Sequence, residues 1–169
     1  MFFHGTSKVN NQGHLVIGGV DTIELAKQYG TPLYVYDVEL IRSRARQFRN
    51  TFQNLGVKAQ VAYASKAFSS IAMVQLAAEE NLSLDVVSNG ELYTALQAGF
   101  PVERIHFHGN NKSYEELVMA VENKIGCVVV DNFYELSLLQ TICREHSYSM
   151  PILLRVTPGI EAHTHDYIL

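Results

Sequence analysis

Six short runs of apolar, β-branched or aromatic residues punctuate the chain: Leu33–Tyr36, Gln60–Ala64, Leu84–Val87, Ile105–Phe107, Cys127–Val130 and Ile152–Val156. Each is apolar at nearly every position, the pattern of a strand buried on both faces. The segments between them carry apolar residues three and four apart, as on one face of a helix. Leu40, Ile41, Ala45, Phe48 and Phe52 form one such stripe, Ile71, Val74 and Ala78 a second, and Leu92, Ala95 and Leu96 a third.

Helix starts are marked by Asp21 with Glu24, Ser113 with Glu116 and Asn132 with Glu135. In each pair the first side chain can accept from a free N–H of the first turn, and the acid three residues on can reach back. Gly30, Gly99 and Gly126 fall where helices should end, where a positive φ is cheap for glycine. Strand starts recur about every two dozen residues, one strand–helix unit each, which predicts an α/β protein with a parallel sheet. An open doubly wound sheet and an eight-stranded barrel both fit this rhythm. The even unit length and the lack of a Gly-x-Gly-x-x-Gly turn after the first strand favour the barrel. About six βα units are present where a (β/α)8 TIM barrel needs eight. The expectation is therefore a partial barrel, a fragment lacking its closing units, with residues 1–20 outside it and residues 21–169 forming the incomplete barrel domain.

Composition narrows the function classes. The 169 residues are 47% hydrophobic and 18% charged, with a formal net charge of −4. There is no basic tract to engage nucleic acid, and no apolar run approaches the ~20 residues that span a bilayer. The start, Met1-Phe2-Phe3-His4-Gly5, has no charged segment leading into an apolar one, so no secretory signal is expected. Cys127 and Cys143 are not at a metal-ligand spacing, and reduced thiols in a cytoplasmic chain are the simplest reading.

In a barrel the chemistry lies at the C-terminal ends of the strands. Those ends carry Asp37, Lys66, Ser88, His108, Asp131 and Arg155. Asp37 and Asp131 stand at or beside helix starts, where Asp commonly caps. His108 could be a rim contact or a partner for the Asn110-Asn111 turn. Lys66 follows the small residues Ala62 and Ala64. A lysine in such a gap, partly deprived of water, is a usable amine nucleophile for Schiff-base chemistry with an aldehyde cofactor; alternatively it snorkels to solvent. Arg155 could pair with a phenolate or carboxylate in the barrel mouth, or form a structural ion pair with an acid of a neighbouring unit. His106-Phe107-His108 and His163-Thr164-His165 each place two imidazoles on one face of a strand. Metal-dependent barrel hydrolases use that spacing at the end of the first strand, but here Tyr36-Asp37 stand there and no carboxylate or thiol cluster completes a ligand set. No metal is expected.

Val61-Ala62-Tyr63-Ala64-Ser65-Lys66-Ala67 resembles the second-strand motif of the alanine-racemase-like (fold type III) pyridoxal-phosphate enzymes. Leu84-Asp85-Val86-Val87-Ser88-Asn89-Gly90-Glu91-Leu92 is similar to the third-strand motif of their decarboxylase branch. His108-Gly109-Asn110-Asn111-Lys112-Ser113, and Leu154-Arg155-Val156-Thr157-Pro158-Gly159 with Ala162–Ile168, resemble the fourth- and sixth-strand segments of the diaminopimelate decarboxylases within that branch. Thr157 departs from the asparagine usual there. The motifs occur in order from about Asp21 to the last residue. The resemblance implies pyridoxal 5'-phosphate as cofactor, held by Lys66 as a Schiff base, with Asp85 and Arg155 near it and the arginine towards the phenolic oxygen. Ser88 and Glu91 are supporting candidates. It also implies a small-molecule amino-acid substrate, decarboxylation of meso-2,6-diaminopimelate to L-lysine, a C-terminal β domain further on, and a homodimer whose second subunit completes the site. The 169 residues alone are then expected to be inactive. The alternatives are a related basic amino-acid decarboxylase and a non-catalytic pyridoxal-phosphate-binding barrel protein.

Overall fold

A computed structural model describes residues 3–159. The chain divides into two compact units, Met1–Val61 and Ala62–Leu169.

The first unit opens with a three-stranded antiparallel sheet in the order β1 (Lys8–Val9), β2 (Leu15–Ile17), β3 (Val20–Asp21). Ile17 pairs with Val20, so Gly18 and Gly19, both at positive φ, form the two-residue turn that a tight hairpin requires. Helix α1 (Thr22–Tyr29) is capped by Asp21, which accepts from Ile23 N, and ends at Gly30 with φ 79°. Burial works upward on the Asp21 carboxyl. Hydrogen bonds from His14, from Ile23 N and from Asn10 outweigh it and hold the group below its ordinary range.

Helix α2 (Val38–Asn54) is capped by Asp37, which accepts from Leu40 N. The second Asp37 oxygen accepts from Thr6 N at 2.9 Å and Thr6 Oγ1 at 2.7 Å. The Leu40 and Thr6 bonds together lower its pKa. Asp37 is thus a helix cap, the simpler of its two readings. The apolar stripe of α2 is not buried within the described residues: Phe48 is 61% and Phe52 40% exposed.

The second unit is one parallel sheet, β4 (Ala62–Ala64), β5 (Ser83–Val86), β6 (Ile105–Phe107), β7 (Cys127–Val130) and β8 (Ile152–Leu154), hydrogen-bonded in that order. Helices α3 (Ile71–Glu79), α4 (Asn89–Gln97), α5 (Tyr114–Glu122) and α6 (Phe133–Glu145) alternate with the strands. A parallel pair needs a crossover, and strict chain order is the topology of a barrel wall; a doubly wound sheet reverses its order. The partial α/β barrel is therefore the fold.

The core lies between this sheet and its helices. Leu84, Val86, Ile105, Phe107 and Val128 on the strands, and Val74, Leu92, Ala95, Leu117, Ala120 and Ile142 on the helices, are all 0% exposed. Each large aliphatic or aromatic side chain so buried contributes about 1.5–3 kcal/mol. The outermost strand β8 is exposed along its length.

Two expectations change. Among the described residues five parallel strands are present, not six, because Leu33–Tyr36 belongs to no sheet and Tyr34 is 90% exposed. Aromatic and β-branched residues suit a pleated surface, but a strand exists only within a sheet, and among the described residues this segment is part of neither sheet. Gly126 does not supply a helix end. Helix α5 stops at its C-cap Asn123, and Lys124 takes the positive φ of 52°. Gly126 is instead a close approach: a Cβ there would lie 2.3 Å from the Glu103 carbonyl oxygen and 2.8 Å from its carbon.

Backbone cannot give way as a flexible side chain can, so Gly126→Ala is expected to destabilise the full-length protein by at least about 1–3 kcal/mol. Gly90→Ala, whose Cβ would meet only Ser88 Oγ at 4.0 Å, is expected to be neutral or slightly stabilising. Chemical denaturation of the two variants checks the contrast.

Candidate functional site

The C-terminal ends of the parallel strands converge on a cavity of about 550 Å³ lined by Ala64, Lys66, Asp85, Val87, His108, Gly109, Asn110, Val129 and Arg155. Of the site residues expected from the sequence, Lys66, Asp85 and Arg155 are all on this wall.

Lys66 sits in a single 3-10 turn, Ser65–Ala67, directly after β4. Its side chain is exposed, and not enclosed by small neighbours as the strand pattern had suggested. Ser65, by contrast, is 0% exposed. Its hydroxyl lies 2.6 Å from Glu91 Oε2 and 2.7 Å from the Asp85 carbonyl, one proton serving two acceptors. The turn that presents Lys66 is therefore fixed by the buried residue before it.

Parallel register places Ala64 opposite Asp85, Asp85 opposite His106, and His106 opposite Cys127. One carboxylate oxygen of Asp85 faces two imidazoles, His106 Nδ1 at 3.3 Å and His108 Nε2 at 3.5 Å. The two histidines do share a side of the sheet, but what they address is this carboxylate. His163 and His165 lie outside the described residues. Among the described residues no group of three His, Cys, Asp or Glu side chains is arranged to hold a metal ion.

Arg155 Nη1 donates to Asp131 Oδ1 at 3.1 Å, while its side chain is 62% exposed. The arginine thus makes the ion pair with a neighbouring unit's acid and also lines the cavity. Asp131 is this partner, not a helix cap: the cap of α6 is Asn132, which accepts from Glu135 N.

Three helices begin at this rim with the same device, only partly foreseen from the capping pairs. The third residue of α4, α5 and α6 is a glutamate: Glu91, Glu116 and Glu135. Each accepts a backbone N–H of its own loop, from Val87 at 2.8 Å, Ser113 at 2.8 Å and Asp131 at 3.3 Å respectively. Each also reaches back to the preceding unit: Glu91 to Ser65 Oγ, Glu116 to Asn89 N at 2.9 Å, and Glu135 to Lys112 Nζ at 2.7 Å. Only Ser113 and Glu116 form a full capping box. The lateral partners were invisible in the sequence, because spacing along one helix says nothing of the loop beside it.

The chemistry of this wall suits an aldehyde cofactor bearing an acidic hydroxyl and an aromatic ring. It offers an amine, a buttressed carboxylate, a guanidinium and the apolar faces of Val87 and Val129, in a cavity of ordinary ligand-binding size. Fold and site together define a cofactor-binding α/β barrel domain with its lysine at the end of a strand.

Comparison with known proteins makes this specific. Residues 38–169 match the family described as pyridoxal-dependent decarboxylase, pyridoxal binding domain, and the chain belongs to that family. The cofactor expected from Lys66 is the one this family binds. The chain is 75% identical over 169 residues to a diaminopimelate decarboxylase of Bacillus methanolicus, covering 100% of this chain and 39% of the relative. It is 70% identical over 168 residues to that of Bacillus subtilis, covering 99% and 38%. The crystal structure of diaminopimelate decarboxylase from M. jannaschii superposes with a TM-score of 0.82 at 35% identity, over 95% of this chain and 38% of that one. A co-complex of the same enzyme with L-lysine matches at 0.82 and 34%, over 92% and 37%. The chain thus spans about two-fifths of the length of the curated relatives it matches.

Burial, and after it the nearby Asp85 carboxylate, pushes the Cys127 thiol above its ordinary range. Cys143 is more accessible. Alkylation of the native protein is expected to label Cys143 at least about tenfold faster than Cys127, since the thiolate is the reactive form. Time-resolved peptide mapping checks it, and equal rates would contradict the packing of β7.

Proposed function

We propose that this chain is the front of the barrel of a diaminopimelate decarboxylase. The full-length protein converts meso-2,6-diaminopimelate to L-lysine and carbon dioxide with pyridoxal 5'-phosphate. The observation that carries this reading is Lys66, Asp85 and Arg155 on one cavity wall, in a chain 70–75% identical to enzymes of that name. The solved relative holding L-lysine agrees with lysine as the product.

In this reading Lys66, on the cavity wall, would hold the cofactor through its amine. The bound cofactor supplies an electron-accepting ring for the pair left behind when the carboxylate departs. Asp85 presents a carboxylate whose orientation is set by His106 and His108. Arg155, anchored by Asp131, would offer its remaining N–H groups to the cofactor's phenolic oxygen. Ser65 and Glu91 fix the turn from which Lys66 projects. Val87 and Val129 give the cavity its apolar faces and keep water from the reacting centre.

In this reading the barrel domain is assigned to residues 21–169 of the sequence, with residues 1–20 preceding it. Further barrel strands would cover β8, whose Leu153 and Leu154 are 55% and 64% exposed. Among the described residues no helix is long and apolar enough to cross a membrane, which is compatible with a cytoplasmic homodimer.

The test is lysine and carbon dioxide formation from meso-2,6-diaminopimelate by the full-length protein. Lys66→Ala is expected to lower the rate by at least roughly 10²–10⁴-fold, the share of a positioned proton-transfer group alone. A full-length protein that turns over ornithine or arginine in preference would move the assignment to a sister decarboxylase.

A further inference from the structure

One deeply buried charge pair of the second unit plays no part in the reaction as described. Lys112 and Glu135 have side chains 1% and 3% exposed and stand 2.7 Å apart. The Lys112 ammonium donates to the Gly109 carbonyl at 2.7 Å and the Val129 carbonyl at 2.8 Å, and Glu135 Oε1 balances its charge. The Phe107 ring centroid lies 6.0 Å from Nζ.

A buried ion pair is a poor device for stability alone. Desolvating two charges costs several kcal/mol, and well-packed apolar residues of similar volume commonly do as well or better. The acceptors indicate another use. Gly109 and Val129 both line the cavity, one in the turn after β6 and the other on β7. Gly109 stands at φ 116°, a region open to glycine at little cost, so the direction of its carbonyl is left to the contact it makes. At the two other rim junctions the lateral partner of the glutamate is neutral, the Ser65 hydroxyl and the Asn89 amide. Only here is it a cation, and only here does the partner also clamp two cavity-wall carbonyls.

We infer that Lys112, neutralised by Glu135, is a positioning residue for the cofactor cavity. It holds the Gly109–Asn110 wall against the end of β7 without touching cofactor or substrate. The inference rests on the functional reading above and deepens it.

The decisive variant is full-length protein carrying Lys112→Met with Glu135→Leu, which removes both charges and leaves neither uncompensated. Thermal melting, titration of the apo-protein with pyridoxal phosphate and visible circular dichroism of the bound cofactor are read together. The expected result is a folded protein melting at or above the wild-type temperature. Its dissociation constant for the cofactor is raised roughly tenfold or more, the scale on which supporting contacts around a bound group act, and its dichroic band is altered. Lys112→Arg, which keeps the charge, is expected to recover part of the affinity. Unchanged affinity and an unchanged band in the double variant overturn the inference. So does failure of that variant to fold, because the pair then supports the fold and not the cavity. A wild-type protein that takes up no pyridoxal phosphate overturns the functional reading and this inference with it, whereas normal wild-type binding beside an indifferent variant overturns this inference alone.

Discussion

Parallel pairing in strict chain order is the constraint from which the rest follows. Each of β4 to β8 must start at the same end as its neighbour, so an α-helical return separates every pair. All strand ends then open onto one rim, and helices begin at that rim too. Carboxylates are favoured at helix starts, where free N–H groups and the dipole meet them. The same topology thus gathers reactive side chains and supplies the glutamates that fix their loops.

Those glutamates explain how precise placement arises from short loops. Glu91, Glu116 and Glu135 each bond their own loop and the one before it, joining four successive βα units. Lys66 gains its position indirectly through Ser65, which is buried against Glu91 and Asp85. Asp85 gains its orientation from one imidazole on the next strand and a second just after it. An exposed lysine beside a network of buried contacts is what a covalent anchor requires: the backbone is fixed and the amine is accessible.

Much of this was legible in the residues. The runs that became β5, β6 and β7 are buried as their apolar pattern required, and Ser113 and Glu116 formed the capping box their spacing promised. Period and capping are local properties, set by a residue and its near neighbours. What the residues concealed was pairing. Leu33–Tyr36 has strand composition but, among the described residues, joins no sheet. Gly18-Gly19 between Ile17 and Val20 was a hairpin signal that went unread beneath the stronger α/β rhythm. Gly126 serves a contact with Glu103, far from it in the chain. At the site, motif resemblance and strand-end position nominated Lys66, Asp85 and Arg155, and the three line one cavity. The bonds of Arg155 to Asp131, of Asp85 to His106 and of Lys112 to Glu135 depend on register between units, which no single segment encodes.

The claim on which everything else leans is that Lys66 is the attachment point, presented at the rim by the end of β4. Borohydride reduction of the full-length protein loaded with pyridoxal phosphate, followed by mass-spectrometric peptide mapping, addresses it directly. The cofactor should be found fixed to the peptide containing Tyr63-Ala64-Ser65-Lys66 and on Lys66 itself. Label on Lys58, Lys112, Lys124 or any other lysine, or no label at all, would contradict it.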